Sequence, residues 1–162
     1  MFRVGLLTVS DKGAVGERLD TAGPALRKLL DPGCFEVSRY TIVPDEYEAL
    51  VEALVLWSDE AGLDLILTIG GTGPSPRDLT PEATLAVAER LVPGIAETMR
   101  AAGLAHTPHA MLSRGVAVIR GRTLIINLPG SEKGATQSLE AVLPALPHAL
   151  EKLKGSPADC GT

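Results

Sequence analysis

The sequence predicts an α/β fold: a three-layer α/β/α sandwich on a mostly parallel sheet with an antiparallel hairpin strand. Three observations point there. Apolar runs at Val4–Val9, Phe35–Val43 and Asp64–Ile69 alternate with segments whose apolar residues recur at helical spacing. The first and third runs are apolar almost throughout, as expected of strands covered on both faces. A later pair of apolar runs, in "GVAVIRGRTLIINLPG", is joined at Gly121–Arg122, which reads as a hairpin and supplies the antiparallel element.

Val4–Val9 ends at Ser10–Asp11, and a Gly-containing stretch then runs to Asp20. That is long for a strand-to-helix connection, and long loops in compact domains are often functional. "TAGPALRKLL" reads as a helix with Ala25, Leu26, Leu29 and Leu30 on one face and Pro24 near its first turn. Phe35–Val43 follows as a strand. In "DEYEALVEALVLWSDEAG", Tyr47, Leu50, Val51, Leu54 and Val55 keep helical spacing and Gly62 stops the helix. Thr80-Pro81-Glu82 signals another start: Thr as N-cap, Pro at the first helical position, an acid in the first turn. Pro93–Gly94 interrupts that run, and a second helical piece is expected over Ile95–Ala102. Leu139, Val142, Leu143, Leu146 and Leu150 form a last helical face, which Pro144 must break or kink. Residues 1–155 read as a single domain and 156–162 as a disordered tail.

Composition narrows the function. The chain has 162 residues and a formal net charge of −5, which argues against a broad nucleic-acid surface. Five aromatic residues are too few for a base-stacking platform. Cys34 and Cys160 lack CxxC spacing, and His106, His109 and His148 lack metal-ligand spacing. No segment reads as a signal peptide or a membrane span, so a cytoplasmic protein without membrane contacts is expected.

Parallel α/β sheets bind ligands at the carboxyl ends of their strands. Four clusters fall there: Ser10–Asp11, Pro44–Asp45, Gly70–Asp78 and Asn127–Lys133. The richest is "LTIGGTGPSPRDLTPEAT". Gly70, Gly71, Thr72 and Gly73 allow a ligand to approach the backbone closely and can aim N–H groups at an anion. The stretch is neither a Walker A loop nor a dinucleotide GxGxxG. Asp78 lies ahead of the expected Thr80 cap and so is not needed for capping, and Arg77 can clamp a phosphate. Asp45-Glu46-Tyr47-Glu48 resembles a capping box, and on residue type alone a capping role for Asp45 outweighs a catalytic one. In "NLPGSEKG", Lys133 stands where a helix N-terminus already attracts phosphate. Arg114, after Ser113, is either site-facing or a surface charge.

Taken together, "VSDKG", "DTAGP", "VPDE", "TIGGTGPSPRDLTPEAT", "MLSRGVAVIRGRTLIINLPGS" and "EAVLPALPHAL" resemble the MogA/MoaB family of molybdenum-cofactor biosynthesis proteins, stand-alone relatives of the gephyrin G domain. The resemblance runs in order along essentially the whole chain. It implies molybdopterin adenylyltransferase activity, with molybdopterin and ATP as substrates, Mg²⁺ as cofactor, and adenylyl-molybdopterin and pyrophosphate as products. It implies catalytic roles for Asp45 and Asp78, with Asp78 toward Mg²⁺. By the same resemblance, substrate or nucleotide contacts fall to Ser10, Asp11, Gly70, Gly71, Thr72, Gly73, Arg77, Ser113, Asn127, Pro129, Gly130, Ser131 and Lys133. It also implies a homotrimer, in some relatives a hexamer, and other proteins of the pathway as partners. A non-catalytic pterin- or nucleotide-binding carrier and a purely structural oligomerisation domain remain as alternatives.

Overall fold

The structure, a computed structural model, describes residues 1–157. Among these residues, six strands form one sheet: β1 (Phe2–Val9), β2 (Phe35–Val43), β3 (Leu65–Ile69), β4 (Arg90–Leu91), β5 (Ala117–Arg120) and β6 (Thr123–Leu128). Their order is β2-β1-β3-β6-β5-β4. The first four in that order are parallel, β5 runs antiparallel to β6, and β4 runs antiparallel to β5. The two apolar runs read as double-covered strands are neighbours, with Val4 beside Leu65, and Leu65 is in turn beside Leu124.

Among the described residues, seven helices complete the layers: α1 (Asp11–Ala14), α2 (Ala22–Leu29), α3 (Tyr47–Val55), α4 (Thr80–Ala86), α5 (Pro93–Leu104), α6 (Glu132–Val142) and α7 (Leu146–Leu153). Successive strand residues point to opposite faces. Leu6, Leu67 and Ile126 therefore share a core with Leu26 of α2, Met99 of α5, Leu139 of α6 and Leu150 of α7. Leu7, Ile66 and Ile125 pack the other way, with Leu50 and Leu54 of α3, Trp57, and Ala83 of α4. Each such fully buried Leu or Ile contributes about 1.5–3 kcal/mol. The sandwich thus rests on the largely apolar strands β3 and β6, whose residues are all buried.

Local differences from the sequence reading have physical causes. The stretch after Ser10 is not all loop: Ser10 Oγ accepts from Gly13 N at 3.0 Å and starts the one-turn α1. The short edge strand β4 has no periodicity to announce it, because two residues carry none. A π-helical turn, Leu56–Glu60, extends α3 before Gly62 reverses the chain at φ +59°. Pro93 starts α5 rather than preceding it, since its missing N–H would be unpaired in a first turn. Pro144 acts as expected: α6 ends at Val142, a 3₁₀ turn covers Leu143–Ala145, and α7 restarts at Leu146. Of the tail read as disordered, residues 158–162 lie outside the described residues. Among the described residues, no helix is long and apolar enough to cross a membrane.

One buried amide joins the layers. Asn127 Nδ2 donates to Thr68 Oγ1 and Thr84 Oγ1, both at 2.9 Å, and its Oδ1 accepts from Val116 N at 3.2 Å. It therefore ties β3, β6, α4 and the entry to β5. Asn127→Leu keeps the bulk but leaves two buried hydroxyls and an amide unpaired. Its expected cost is about 3 kcal/mol, a fall in Tm of roughly 6–12 °C by calorimetry. An unchanged Tm would show that these bonds do not stabilise the fold.

Candidate active site

The chain leaves β3 through backbone that only glycine tolerates. Gly70 has φ +107°, and a Cβ there would lie 2.5 Å from Val9 O. Gly71 has φ +66°, and its Cβ would lie 2.2 Å from Thr80 Oγ1. The hydroxyl of Thr80 donates to Gly70 O at 2.9 Å. Thr80 is consequently not the N-cap expected from sequence: that position is Leu79, which makes no side-chain cap bond. The turned-back loop presents a buried carbonyl that needs a donor, and Thr80 supplies it.

Asp45 is not a cap either. The N-cap position of α3 is Glu46, without a side-chain bond. The Asp45 carboxylate turns instead to the start of α1, where its Oδ2 accepts from Asp11 N at 2.9 Å. Asp45 N returns a bond of 2.9 Å to Asp11 Oδ1. Arg77 completes the group: Nε and Nη2 hold the Asp11 carboxylate at 2.8 and 2.9 Å, and Nη2 reaches Asp45 O at 3.3 Å. Arg77 is thus engaged with Asp11 rather than projecting as an unpartnered phosphate clamp. Burial pushes the Asp45 carboxyl above its ordinary value, and the Asp11 and Asp78 carboxylates push the same way. The Asp11 amide and the Arg77 guanidinium oppose them without cancelling them. Asp78 accepts from Ser75 N through Oδ2 at 3.0 Å, closing its own loop.

Two cavities open at this sheet edge. One, of about 500 Å³, is walled by Met99, Arg100, His109, Leu112 and Ser113, with Thr72, Gly73, Asn127 and Pro129 from the strand ends. The other, of about 460 Å³, is more polar and takes Thr8, Ser10, Arg18, Asp20, Asp45 and Gly70. They share Gly71, Asp78, Gly130 and Ser131. Of the residues singled out in the sequence, Asp11, Arg77 and Lys133 line neither cavity. Asn127 lines the first, but its side-chain amide is committed to Thr68, Thr84 and Val116.

Several lining residues escaped the sequence reading, among them Asp20, Arg100, His109 and Arg18. Asp20 accepts from Thr8 Oγ1 (2.5 Å), Tyr40 Oη (2.7 Å), Ala22 N (3.0 Å) and Gly23 N (3.1 Å). Burial pushes its carboxyl up, but these donors together hold it below the ordinary value. Burial and the Asp20 acceptor push the Tyr40 hydroxyl up to about 12. An acid ahead of the "AGP" helix start was the available signal for Asp20. Arg100, inside a helix, donates Nη1 to Gly115 O at 2.9 Å; neither it nor His109 has a local motif.

The family described as "Probable molybdopterin binding domain" matches residues 5–148. The chain belongs to this molybdopterin-binding family. A protein of Helicobacter pylori strain J99 named molybdopterin adenylyltransferase is 42% identical over 160 residues, covering 96% of this chain and 89% of its own. One of the same name from Escherichia coli K12 is 44% identical over 144 residues, covering 87% and 73%. The crystal structure of the molybdopterin biosynthesis enzyme MoaB from Thermus thermophilus is 62% identical. It superposes with a TM-score of 0.92 over 98% of this chain and 100% of that one.

Within this molybdopterin-binding domain, Asp45 makes a prediction about stability. A carboxyl raised by burial and like charges binds its proton more tightly in the folded chain than in the unfolded one. The folded state then loses stability as pH rises from about 3.9, the unfolded Asp value, to the raised one, and the whole cost persists above it. Asp45→Asn keeps an acceptor for the Asp11 amide and carries no charge. It is expected to melt higher than the wild type at pH 7, with the difference vanishing below about pH 3. A variant that melts lower at pH 7 would mean that the Asp45 charge stabilises the fold.

Proposed function

We propose that the protein is a molybdopterin adenylyltransferase, joining molybdopterin to the adenylyl group of ATP with release of pyrophosphate. The observation that carries this reading is the two-lobed cleft. Two cavities of similar size, one largely apolar and one polar, meet at Asp78. Such a shape suits two substrates whose reacting ends must come together. Relatives about 40% identical over most of the chain bear that activity as their name.

In the reaction, an oxygen of the terminal phosphate of molybdopterin attacks the α-phosphorus of ATP. The bond from that phosphorus to the bridging oxygen breaks, and pyrophosphate leaves with the electron pair. The attacking phosphate is already ionised, so no general base is required. The chain brings the reacting ends together and offsets their charge. Ser131 and Glu132, at the start of α6, border the polar lobe, so the positive end of that helix dipole faces it. Arg18 lines the polar lobe and Arg100 the apolar one. The glycine backbone of 70–73 and the Pro129–Ser131 turn let phosphates lie against the main chain, with Ser10 and Ser113 contacting substrate in their respective lobes. Arg77 orders Asp11 and Asp45, and Lys133 adds positive charge at the α6 end.

Mg²⁺ fits the donor set. Asp45 feels the negative charge of Asp11 and Asp78, which Arg77 offsets only in part, and Mg²⁺ is commonly held by one or two carboxylates together with substrate phosphates. Among the described residues, no group of three or more His, Cys, Asp or Glu forms a protein-only cage. Asp78 would hold the cation, with Asp45 beside it, and when bound it neutralises the triphosphate and the leaving pyrophosphate. The same reading carries a cytoplasmic homotrimer, or a hexamer, working beside other proteins of the pathway.

Pyrophosphate release by the pure protein with molybdopterin, ATP and Mg²⁺ tests the proposal. Asp78→Asn and Asp45→Asn are each expected to lower the rate by about a hundredfold or more, some 2.7 kcal/mol of activation free energy, with the fold retained. Wild-type rates in both variants would remove the two aspartates from the chemistry. A wild-type chain that binds pterin and releases no pyrophosphate would be a carrier instead.

A further inference from the structure

Arg114 lines neither cavity, yet its guanidinium is directed into the loop that carries Asp78. Its Nε donates to Gly73 O at 2.9 Å and its Nη2 to Asp78 O at 2.6 Å. Nη1 and Nη2 also hold the Glu82 carboxylate. The Arg114 backbone N–H donates to Thr72 O at 2.8 Å. One planar cation therefore grips both ends of the segment from Gly73 to Asp78, and Glu82, in the first turn of α4, anchors it to a helix.

Besides Arg114, the segment is anchored outward through the side chain of Arg77, which holds the Asp11 carboxylate and reaches Asp45 O; its own backbone is otherwise weakly held. Pro74 and Pro76 have no N–H to give, and Gly73 adds backbone freedom. Inside the loop, Ser75 N donates to Asp78 Oδ2 at 3.0 Å and Asp78 N to Ser75 O at 2.9 Å. Those bonds fix Asp78 relative to Ser75 but not relative to the cavities. The bonds from Arg114 do the second task by tying the main chain of Gly73 and Asp78 to the segment entering β5, while Arg77 ties the loop only through its side chain to Asp11. Asp78 borders both lobes, so a loop that drifts by an ångström moves the carboxylate away from both substrates at once.

We propose that Arg114 is a positioning residue: anchored by Glu82, it holds Asp78 at the junction of the two cavities. The inference rests on the reading of Asp78 as catalytic. Lysine cannot replace it, since a single ammonium does not span two carbonyls and a carboxylate in one plane. The pair is half exposed, with side-chain exposures of 38% for Arg114 and 44% for Glu82. Exposed pairs add little to stability, so the effect of losing Arg114 falls on rate more than on folding.

The test measures kcat, both KM values and amide exchange. Arg114→Ala is expected to lower kcat about ten- to a hundredfold, with KM for ATP and molybdopterin within about twofold. In an Asp78→Asn background the same change should lower kcat no further, because its effect passes through that carboxylate. Arg114→Lys should not restore the rate. Arg120→Ala, which breaks a remote pair with Asp59, should leave kcat unchanged. The amides of Ser75, Asp78 and Thr80 should exchange at least about tenfold faster in Arg114→Ala, while a global Tm shift of about 2 °C or less marks an intact fold. Wild-type kcat in Arg114→Ala, or an equal loss in the Asp78→Asn background, overturns the proposal. If Arg114→Ala does not fold, Glu82→Gln must lower kcat with unchanged KM, and wild-type kcat there overturns it equally. A wild-type chain that makes no adenylyl product sinks the adenylyltransferase reading alone. Amide exchange then decides on Arg114, and unchanged protection of Ser75 and Asp78 rejects it.

Discussion

The cleft depends on backbone crowding at the carboxyl end of β3. Adjacent parallel strands lie about 4.8 Å apart, so the chain leaving β3 has β1 on one side and β6 on the other. Gly70 sits where any side chain would strike Val9 O. Gly130, leaving β6, comes so close that its own Cβ would lie 3.3 Å from Gly70 Cα. Only main chain fits between the strands. The β3 loop must therefore rise out of the sheet before it can turn, and Gly71 makes that turn against the Thr80 hydroxyl. The rising loop is the partition between the two lobes. Gly71 and Asp78 on one side and Gly130 and Ser131 on the other are the residues both cavities share.

Two aspartates on the polar lobe show how that scaffold treats charge. Asp20 and Asp45 both line it, and burial pushes both carboxyls up. Asp20 receives two hydroxyls and two amides, which bring its carboxyl below the ordinary value. Its charge is spent on Thr8, Tyr40 and the start of α2. Asp45 receives one amide and faces two further carboxylates, so its carboxyl stays raised. A fold selected for stability alone would neutralise such a group. Keeping it charged and under-compensated is what a site awaiting a cation or a phosphate-bound cation requires. Environment, rather than residue type, separates Asp20, engaged in local structure, from Asp45, the acid proposed for the site.

Apolar runs alternating with helical-period segments were enough to read five of the six strands, the main helices and the hairpin at Gly121, because strands buried on both faces read as near-continuous apolar runs. Two caps were misread for a shared reason. Thr80 and Asp45 stand where local rules put a capping side chain, but each meets a stronger long-range partner, Gly70 O and Asp11 N respectively. Local sequence cannot show a carbonyl ten residues back that needs a donor. The convergence of strand-end loops was legible from topology, whereas Arg100 and His109 were not. They come from α5 and the 3₁₀ turn Pro108–Leu112, which reach the cleft only through tertiary packing. Arg114 was left between site and surface, and the coordinates give it a third position, behind the loop it grips.

A chain of net charge −5 handling two phosphate-bearing molecules looks paradoxical until distances are considered. Charges beyond about 8–10 Å are largely screened at physiological salt, so total charge governs encounter with extended polyanions and says little about a cavity. In the proposed reading the relevant groups inside the cleft are few: the α6 terminus, Arg18, Arg100 and the glycine backbone would face the phosphates, and Asp45 and Asp78 a cation brought with them. The carboxylates would repel ATP or molybdopterin presented without a divalent ion. With an ion bound, as the proposed function has it, the same carboxylates would become attractive, and the acidity of the cleft would favour the metal-bound nucleotide. Composition thus argued against a nucleic-acid surface for the same reason that it left a phosphate pocket open. The first needs positive charge spread over many ångströms, and the second needs only a few oriented dipoles where the strands end.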